Sequence, residues 1–295
     1  MQEHHISPLF YNQPEFPQRL LHFNDSPFLI FSKGNAGLNA TRTIGIVGTR
    51  TPSHAGVKWV NDLIADLKDS GIAIISGYAY GIDIAAHRAS VREGLETIAV
   101  LAGGLDNIYP ALHRKYVEEV CHQGSIITES FSSVLPDKQR FPMRNRIIAA
   151  LSDGLIVVES GAKGGSIITA EFAFSYNKNL MAVPGKPGDL MSKGCNGLIK
   201  AQKAAMVEDS TDVLHEMGWD MGNKSDGRAV QAELFRDLSD KEQSLINYLL
   251  ERGEVSVDEI IKKLEIRNSE LASMILSLTL DGLIIQLPGS RLAMG

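Results

Sequence analysis

A repeated pattern of short apolar runs organises the chain between Thr43 and Leu214. Each run is rich in β-branched residues, ends near a glycine-containing turn, and is followed by a stretch whose apolar residues recur at helical spacing. The runs do not alternate between apolar and polar positions, which is typical of strands buried on both faces of a sheet. The pattern therefore predicts a doubly wound α/β fold with a mostly parallel sheet. The predicted strands are 43–47, 72–75, 97–101, 126–127, 155–158, 180–183 and 205–207.

Helices are predicted between these strands, and glycines follow several strand ends. Gly48, Gly77 and the pairs at 103–104 and 164–165 stand in these loops. Because open α/β sheets bind ligands at the carboxyl ends of their strands, we expect any functional site in these loops. The predicted helices are at about 56–69, 82–94, 112–122, 143–151, 166–177 and 195–202.

The α/β pattern has a segment on either side. Residues 1–40 contain two proline-bearing turns and an apolar run at 28–31, which together predict a lead-in extension of the sheet. We assign 41–218 to the α/β domain itself. The polar, glycine-containing segment 219–238 is predicted to be a linker.

The last segment, 239–295, has the pattern of a small winged-helix domain. Ser239 and Glu242 form a capping-box sequence before a helix with apolar residues at helical spacing. Two more helices at about 256–264 and 268–281 and a strand pair around Pro288 complete it. The segment carries six cationic and nine acidic side chains, and its third helix has no Lys or Arg. We therefore expect weak duplex binding and a protein-contacting or self-associating role.

The overall composition narrows the class of protein. With 295 residues, of which 44% are apolar and 22% charged, the chain suits two globular domains. No apolar run approaches the roughly 18 residues of a membrane span, the N-terminus lacks a signal-peptide pattern, and two cysteines make no disulfide framework. We therefore expect a cytoplasmic protein with no membrane partner. The net charge of −6 argues against coating of duplex nucleic acid, so any nucleic-acid site must be a local patch.

The loop after the first predicted strand of this domain suits a phosphate group. Gly48, Thr49 and Arg50 offer backbone N–H groups, a hydroxyl and one cation at a helix start. Their spacing does not match GxGxxG, and GxxxxGK[ST] does not occur, so an NAD site and a Walker-type ATPase are disfavoured. The alternative interpretation is that Gly48 only permits the turn and Arg50 is an ordinary surface residue.

Asp83 and His87 stand one turn apart on one face of a predicted helix. They could be an acid/base pair or half of a metal site. A third ligand with suitable spacing is missing from the sequence, which favours a structural role. In that interpretation Asp83 lies near the positive end of the helix and His87 is hydrogen-bonded below it.

The segment 138–146 concentrates four cations in an acidic protein and places an aromatic residue among them. Lys138, Phe141, Arg144, Asn145 and Arg146 combine charge, ring and amide. This combination suits single-stranded nucleic acid, since cations neutralise phosphates and a ring stacks on a base. The alternative is a solvated helix start with Phe141 in the core.

A second glycine loop, with Gly164, Gly165 and Ser166, follows the fifth predicted strand of the domain and again leads into a helix. It is expected along the same sheet edge as the first loop. A row of anion sites matches a polymer of phosphates better than one small ligand.

Several short segments carry a likeness to a known family: Gly48-Thr49-Arg50, 76–83 with Ala86-His87, Tyr109-Pro110, Phe141-Pro142 with 144–148, Val158-Glu159 with 165–170, and 182–185 with 194–199. With these segments in this order, the sequence resembles the DNA-processing protein A family (DprA/Smf) from about Phe16 to the C-terminus. The resemblance implies an extended Rossmann-like domain that binds single-stranded DNA, forms a homodimer, protects incoming DNA and helps to load the RecA recombinase in natural transformation. Members often carry an N-terminal helical domain. We expect this sequence to begin too late to contain one, either because the protein lacks that domain or because the sequence is truncated.

The resemblance also implies roles for single residues. Arg50, Lys138 and Phe141 match strand-binding positions of the family, and Arg144, Asn145, Arg146 and the loop at Gly165-Ser166 surround them. Because the sequence shows no Walker loop, metal-ligand cluster or nucleophile-base arrangement, we expect no catalytic residue, metal or cofactor.

Two other functions stay open at this point. One is a nucleoside-monophosphate phosphoribohydrolase of the lysine-decarboxylase-like Rossmann group, which uses an Arg and a Glu beside a Gly-Gly loop. Arg146 and Glu171 beside Gly164-Gly165 partly match that arrangement, although the Pro-Gly-Gly opening is missing. The other is a DNA-reading regulator that acts through its winged helix.

Overall fold

The computed structural model describes residues 6–35, 37–219, 239–264, 266–280, 283–287 and 291–294. Contacts divide the chain into two units, Met1–Met221 and Gly222–Gly295. The predicted linker at 219–238 lies, apart from Trp219, outside the described residues. The domain boundaries given above therefore stay predictions.

The larger unit is built on one twisted sheet with the strand order β1-β2-β6-β5-β4-β3-β7-β8-β9. The strands from β3 to β9 are parallel, while β1 and β2 are antiparallel and extend the sheet beyond β6. The strands are β1 (Ser7–Phe10), β2 (Leu29–Gly34), β3 (Arg42–Gly48), β4 (Ile72–Ser76), β5 (Thr97–Val100), β6 (Ser125–Thr128), β7 (Gly154–Val158), β8 (Asn179–Ala182) and β9 (Ala205–Met206).

Helices cover both faces of this sheet. Successive strand residues point to opposite faces, so Ile46 packs with α1 and α2 while Val47 packs with α4 and α5. This two-sided burial explains why the strands carry apolar residues without alternation. The helices are α1 (His54–Asp66), α2 (Ile82–Glu93), α3 (Val117–Gln123), α4 (Arg140–Leu151), α5 (Gly165–Ser175), α6 (Lys193–Lys200) and α7 (Ser210–Glu216).

Three helices differ from the sequence expectation. The predicted helix at 112–122 is a 3-10 segment, Ala111–Tyr116, followed by α3. α4 begins at Arg140 and not at 143, because Pro142 falls in its first turn, where a missing N–H group breaks no helical hydrogen bond. α7, which the pattern did not indicate, is capped by Asp209 through the N–H groups of Thr211 and Asp212.

The smaller unit is a winged helix. The Ser239–Glu242 capping box is present at the start of its first helix. An apolar core joins the helices to a three-stranded antiparallel sheet of order β10-β12-β11. No helix among the described residues is long and apolar enough to cross a membrane. The elements are α8 (Asp240–Arg252), β10 (Glu254–Ser256), α9 (Val257–Leu264), α10 (Asn268–Leu280), β11 (Ile284–Leu287) and β12 (Arg291–Met294).

Candidate nucleic-acid interface

An open cleft of about 660 Å³ lies at the carboxyl end of the parallel strands. It is formed where β3 pairs with β4 on one side and with β7 on the other. After β4 the next strands, β5 and β6, are added on one side of β3, and after β7 the next strands, β8 and β9, are added on the other side. The strand order therefore reverses at β3, which is the topological switch point of the fold. Ligands bind at such a point in doubly wound proteins.

The cleft brings together ten of the eleven residues that the sequence assigned to a binding site. They come from three segments separated by up to 118 positions along the chain, and only the fold places them side by side. Arg146 is the exception, because its side chain does not line the cleft. The ten residues are Gly48, Thr49, Arg50, Lys138, Phe141, Arg144, Asn145, Gly164, Gly165 and Ser166.

The first loop approaches the end of β7 very closely. A Cβ atom on Gly48 would lie 2.0 Å from the carbonyl oxygen of Val158, so only glycine fits there. Arg50 is exposed, and its guanidinium carbon lies 5.3 Å from the centre of the Phe141 ring. Among the described residues, no carboxylate lies within ion-pair distance of Arg50 or Lys138. Both charges are therefore available to an anion.

The other three cations of the 138–146 segment already have partners, Arg140 at the surface and the other two in the interior. Arg140 pairs with Asp137 at 3.1 Å. Arg146 is buried and pairs with Glu129. Arg144 is also buried, and its guanidinium donates to the carbonyl oxygens of Gly77 and Val100. Of the four cations in the segment, Lys138 alone has a side chain that is free of these internal partners.

Phe141 is half-buried at the wall of the cleft and does not belong to the buried core. The Tyr109 ring meets it edge-on, with the ring centres 5.9 Å apart. The guanidinium carbon of Arg144 lies 5.9 Å from the Phe141 ring centre. An aromatic ring beside Arg50, in a cleft that Lys138 also lines, is the combination that stacks on a base while phosphates are neutralised.

Buried charged groups form the floor of the cleft. Asp83 and Arg144 both lie against Gly77, where a Cβ atom would come within 2.6 Å of Asp83 Oδ2 and 2.7 Å of an Arg144 nitrogen. Burial raises the pKa of Asp83, and the positive charge of Arg144 opposes that rise. Burial lowers the pKa of Arg144 to about 10, so its guanidinium keeps its charge at neutral pH. Arg144 therefore contributes a buried positive charge beside a carboxyl group whose pKa is raised, and the exposed cations that line the cleft are Arg50 and Lys138.

His87 lies below Asp83 on α2 and is buried. Its Nδ1 lies 2.7 Å from the Thr97 hydroxyl. Burial lowers the pKa of His87 to about 3, so the ring is neutral. These contacts agree with the structural interpretation of the pair. Among the described residues, no group of His, Cys, Asp and Glu side chains could hold a metal ion.

The second glycine loop supplies backbone N–H groups to the cleft. α5 begins at Gly165, and no described side chain caps its N-terminus. The first N–H groups of a helix have no partner within it and attract anions. Ser166 donates its hydroxyl hydrogen to Ser160 Oγ over 2.7 Å, and Asn145 Nδ2 contacts the Gly165 carbonyl oxygen at 3.4 Å. These contacts attach the start of α5 to β7 and α4.

Sequence reasoning missed several groups at this site. Tyr109 and Ile168 line the cleft, and Glu159 lies behind its first loop. Tyr109 and Glu159 stand in the segments that carry the family resemblance, but no chemical pattern in the sequence singled them out.

Comparison with known proteins covers both units. The sequence profile of DNA recombination-mediator protein A matches residues 7–218. The chain belongs to this family. The profile of the DprA winged helix domain matches residues 231–290. The resemblance that the sequence indicated is therefore confirmed, and so is the Rossmann-like fold followed by a winged helix.

Individual relatives agree with this assignment. The DNA processing protein DprA of Streptococcus pneumoniae (strain ATCC BAA-255 / R6) is 37% identical over 219 residues, which are 72% of this chain and 77% of the relative. The protein Smf of Escherichia coli (strain K12) is 34% identical over 215 residues, 72% of this chain. The matched part is 57% of the length of that relative.

Two solved DprA structures share the fold. The X-ray structure of the S. pneumoniae protein has a TM-score of 0.69 at 35% identity, covering 73% of this chain and 76% of that one. The structure of DNA processing protein A from Helicobacter pylori has a TM-score of 0.66 at 28% identity, covering 73% of this chain and 96% of that one. The H. pylori structure describes a single-stranded DNA binding mode of that protein.

Proposed function

We propose that this member of the DNA recombination-mediator protein A family binds single-stranded DNA in the cleft between β3 and β7. One observation carries the proposal: Arg50, Lys138, Phe141 and the N-terminus of α5 meet at one open cleft. Arg50 and Lys138, which have no ion-pair partner among the described residues, would neutralise phosphates, and the ring would stack on a base. The single-stranded DNA binding mode of the H. pylori relative supports the same ligand.

Single strands fit this cleft better than duplex. Stacking on Phe141 needs an unpaired base with an accessible face. The site has a small number of free cations, and the winged-helix segment has more acidic than basic residues. Duplex binding without sequence preference needs a broadly basic surface. Binding should therefore tolerate any base sequence and weaken steeply with salt.

The family supports a wider role for this site. We propose that the chain protects incoming single strands and loads the RecA recombinase onto them during natural transformation, acting as a homodimer in the cytoplasm. In this role the protein presents a strand to a partner and performs no covalent step, so it needs neither a metal nor a cofactor.

The position of two residues weighs against the phosphoribohydrolase alternative. That function would need Arg146 and Glu171 beside the Gly164-Gly165 loop. Arg146 instead pairs with Glu129, and Glu171 pairs with Lys203 at 2.7 Å. Neither side chain lines the cleft.

A paired assay tests the proposal. The full chain is titrated with a fluorescent, unstructured oligonucleotide and with a duplex of equal length, each at several salt concentrations, and is incubated separately with AMP. We expect preferential single-strand binding, with log affinity falling against log salt by about 0.7 per phosphate contact. Release of ribose phosphate from AMP, or tight and salt-insensitive binding to one duplex sequence, would refute the proposal.

A further inference from the structure

The loop that carries Arg50 is attached at both ends to Glu159, the residue that follows β7. The Thr49 N–H donates to the Glu159 carbonyl oxygen over 2.8 Å. At the other end, the Ser53 N–H donates to Glu159 Oε2 over 2.8 Å, and the Ser53 hydroxyl donates to Oε1. Arg50 lies between these attachment points. One residue of β7's end therefore fixes the stretch of backbone from which this guanidinium projects.

The first turn of α1 leaves room for the Glu159 carboxylate. A Cβ atom on Gly56 would lie 2.7 Å from Glu159 Cδ and 2.9 Å from both carboxylate oxygens. Glycine is a poor residue inside a helix, so its presence in this turn serves the close approach. The Ser53 hydroxyl also accepts the Gly56 N–H over 3.0 Å, which caps the helix. The carboxylate lies at the positive end of α1, where a negative charge is favoured.

The opposite side of the loop lies against the start of α2. A Cβ atom on Gly81 would lie 2.2 Å from the Thr49 carbonyl oxygen and 2.8 Å from Arg50 Cα. The Ile82 N–H donates to the same Thr49 oxygen over 3.2 Å. The backbone at Arg50 is thus enclosed between α2 on one side and Glu159 on the other.

The negative charge of Glu159 allows a positioning role to be distinguished from a purely electrostatic one. A carboxylate beside a loop that binds phosphate repels the ligand, so its charge alone would weaken binding. We propose that Glu159 is a positioning residue, which holds the 49–53 loop so that Arg50 meets a DNA phosphate. This inference rests on the function proposed above. It predicts that loss of this acidic group weakens the binding of an anion, the opposite of what the charge alone predicts.

The experiment compares Glu159→Ala with Arg50→Ala, the double variant and Glu96→Ala. Glu96 is an exposed acid just before β5, at the amino-terminal edge of the sheet, so its removal changes the charge equally but far from the cleft. Each full-length variant is titrated with fluorescent oligothymidylate at several salt concentrations, and its thermal unfolding is recorded.

We expect Glu159→Ala to bind about fivefold more weakly while remaining folded, which is the worth of roughly one good contact. Its salt slope should fall by about 0.7, as for Arg50→Ala, because one phosphate contact is lost. The double variant should bind no more weakly than Arg50→Ala alone, since both changes remove the same contact. Glu96→Ala should bind like the unchanged protein.

If Glu159→Ala binds as tightly as the unchanged protein or more tightly, while Arg50→Ala binds more weakly, the positioning role is wrong and the proposed function of the cleft still stands. Losses that multiply in the double variant would overturn it as well. If Arg50→Ala changes neither affinity nor slope, the proposed function of the cleft is wrong, and the positioning role is wrong with it.

A second variant keeps the test decisive if Glu159→Ala does not fold. Ser53→Ala leaves the net charge unchanged and removes one of the two hydrogen bonds between Ser53 and the Glu159 carboxylate, the one from the hydroxyl. We expect the same direction of change, with weaker binding, a smaller salt slope and no further loss in combination with Arg50→Ala. Unchanged binding by Ser53→Ala would overturn the inference.

Discussion

Reversal of the charge at Arg50 should strongly weaken strand binding. Arg50 is exposed and has no ion-pair partner among the described carboxylates, so its full charge faces the cleft. Two unit charges about 4 Å apart in water interact by about 1 kcal/mol. Arg50→Glu turns this attraction into an equal repulsion, a change of about 2 kcal/mol. The affinity should therefore fall about 30-fold at low salt.

The assay is fluorescence anisotropy of an oligothymidylate at increasing salt. The effect should shrink as salt rises, because the screening length falls to about 10 Å at 0.1 M ionic strength. Lys68→Glu is the matched control. Lys68 is an exposed cation at the amino-terminal edge of the sheet, where it lies beside Gly71 and Gly94. The control makes the same change of net charge at the edge opposite the cleft.

Two results would refute this reasoning. If Lys68→Glu weakens binding as much as Arg50→Glu, the effect comes from the net charge of the protein and not from the cleft. If Arg50→Glu binds within about twofold of the unchanged protein, Arg50 does not meet a phosphate. Thermal unfolding of each variant checks that the binding-competent fold is retained.

Three further changes test other parts of the molecule. Phe141→Ala should cost about 1–3 kcal/mol of binding if the ring stacks on a base, and loss of folding with unchanged affinity in the folded fraction would place the ring in the core instead. Because the pKa of His87 is about 3 when folded and 6.5 otherwise, the unfolded chain takes up a proton that the folded protein excludes. The free energy of unfolding should therefore fall as pH drops from about 6.5 toward 3, by up to about 1.4 kcal/mol per pH unit, and urea titrations of His87→Asn should show a flatter slope. A chain that ends at Trp219 should keep its single-strand affinity within about tenfold, and a duplex shift by fragment 236–295 at moderate salt would contradict this expectation.

The course of the strands follows from local sequence. Each predicted strand from 43 to 207 overlaps an observed strand, because burial on both faces requires apolar β-branched residues at successive positions. The same reasoning located the two glycine loops at the carboxyl ends of β3 and β7, whereas the residues of 138–146 were singled out by their charges, their aromatic ring and the family resemblance. The sequence pattern predicted the first residues of helices less accurately. The start of α4, for example, depends on whether Pro142 is accommodated in the first turn of the helix.

The tertiary structure determines which cations of the 138–146 segment form internal contacts and which remain available to a ligand. The sequence shows that Lys138, Arg140, Arg144 and Arg146 stand close together, but it does not show which of them stay free. Arg146 finds Glu129, 17 positions away, and Arg144 finds the carbonyl oxygen of Gly77, 67 positions away. Such partners are set by the way α4 packs on the sheet, so the number of cations in a segment overstated the charge that a ligand meets.

The sequence by itself determined the fold class, the family and the loops that form the cleft, because periodicity, glycine positions and short motifs are properties of neighbouring residues. The tertiary structure decided which side chains face the cleft and which form hydrogen bonds or ion pairs within the protein. It also decided that the 49–53 loop is held by Glu159, more than 100 positions further along the chain. Contacts of this kind arise only when the pairing of β3 with β7 brings distant loops together, so the local pattern of residues does not predict them.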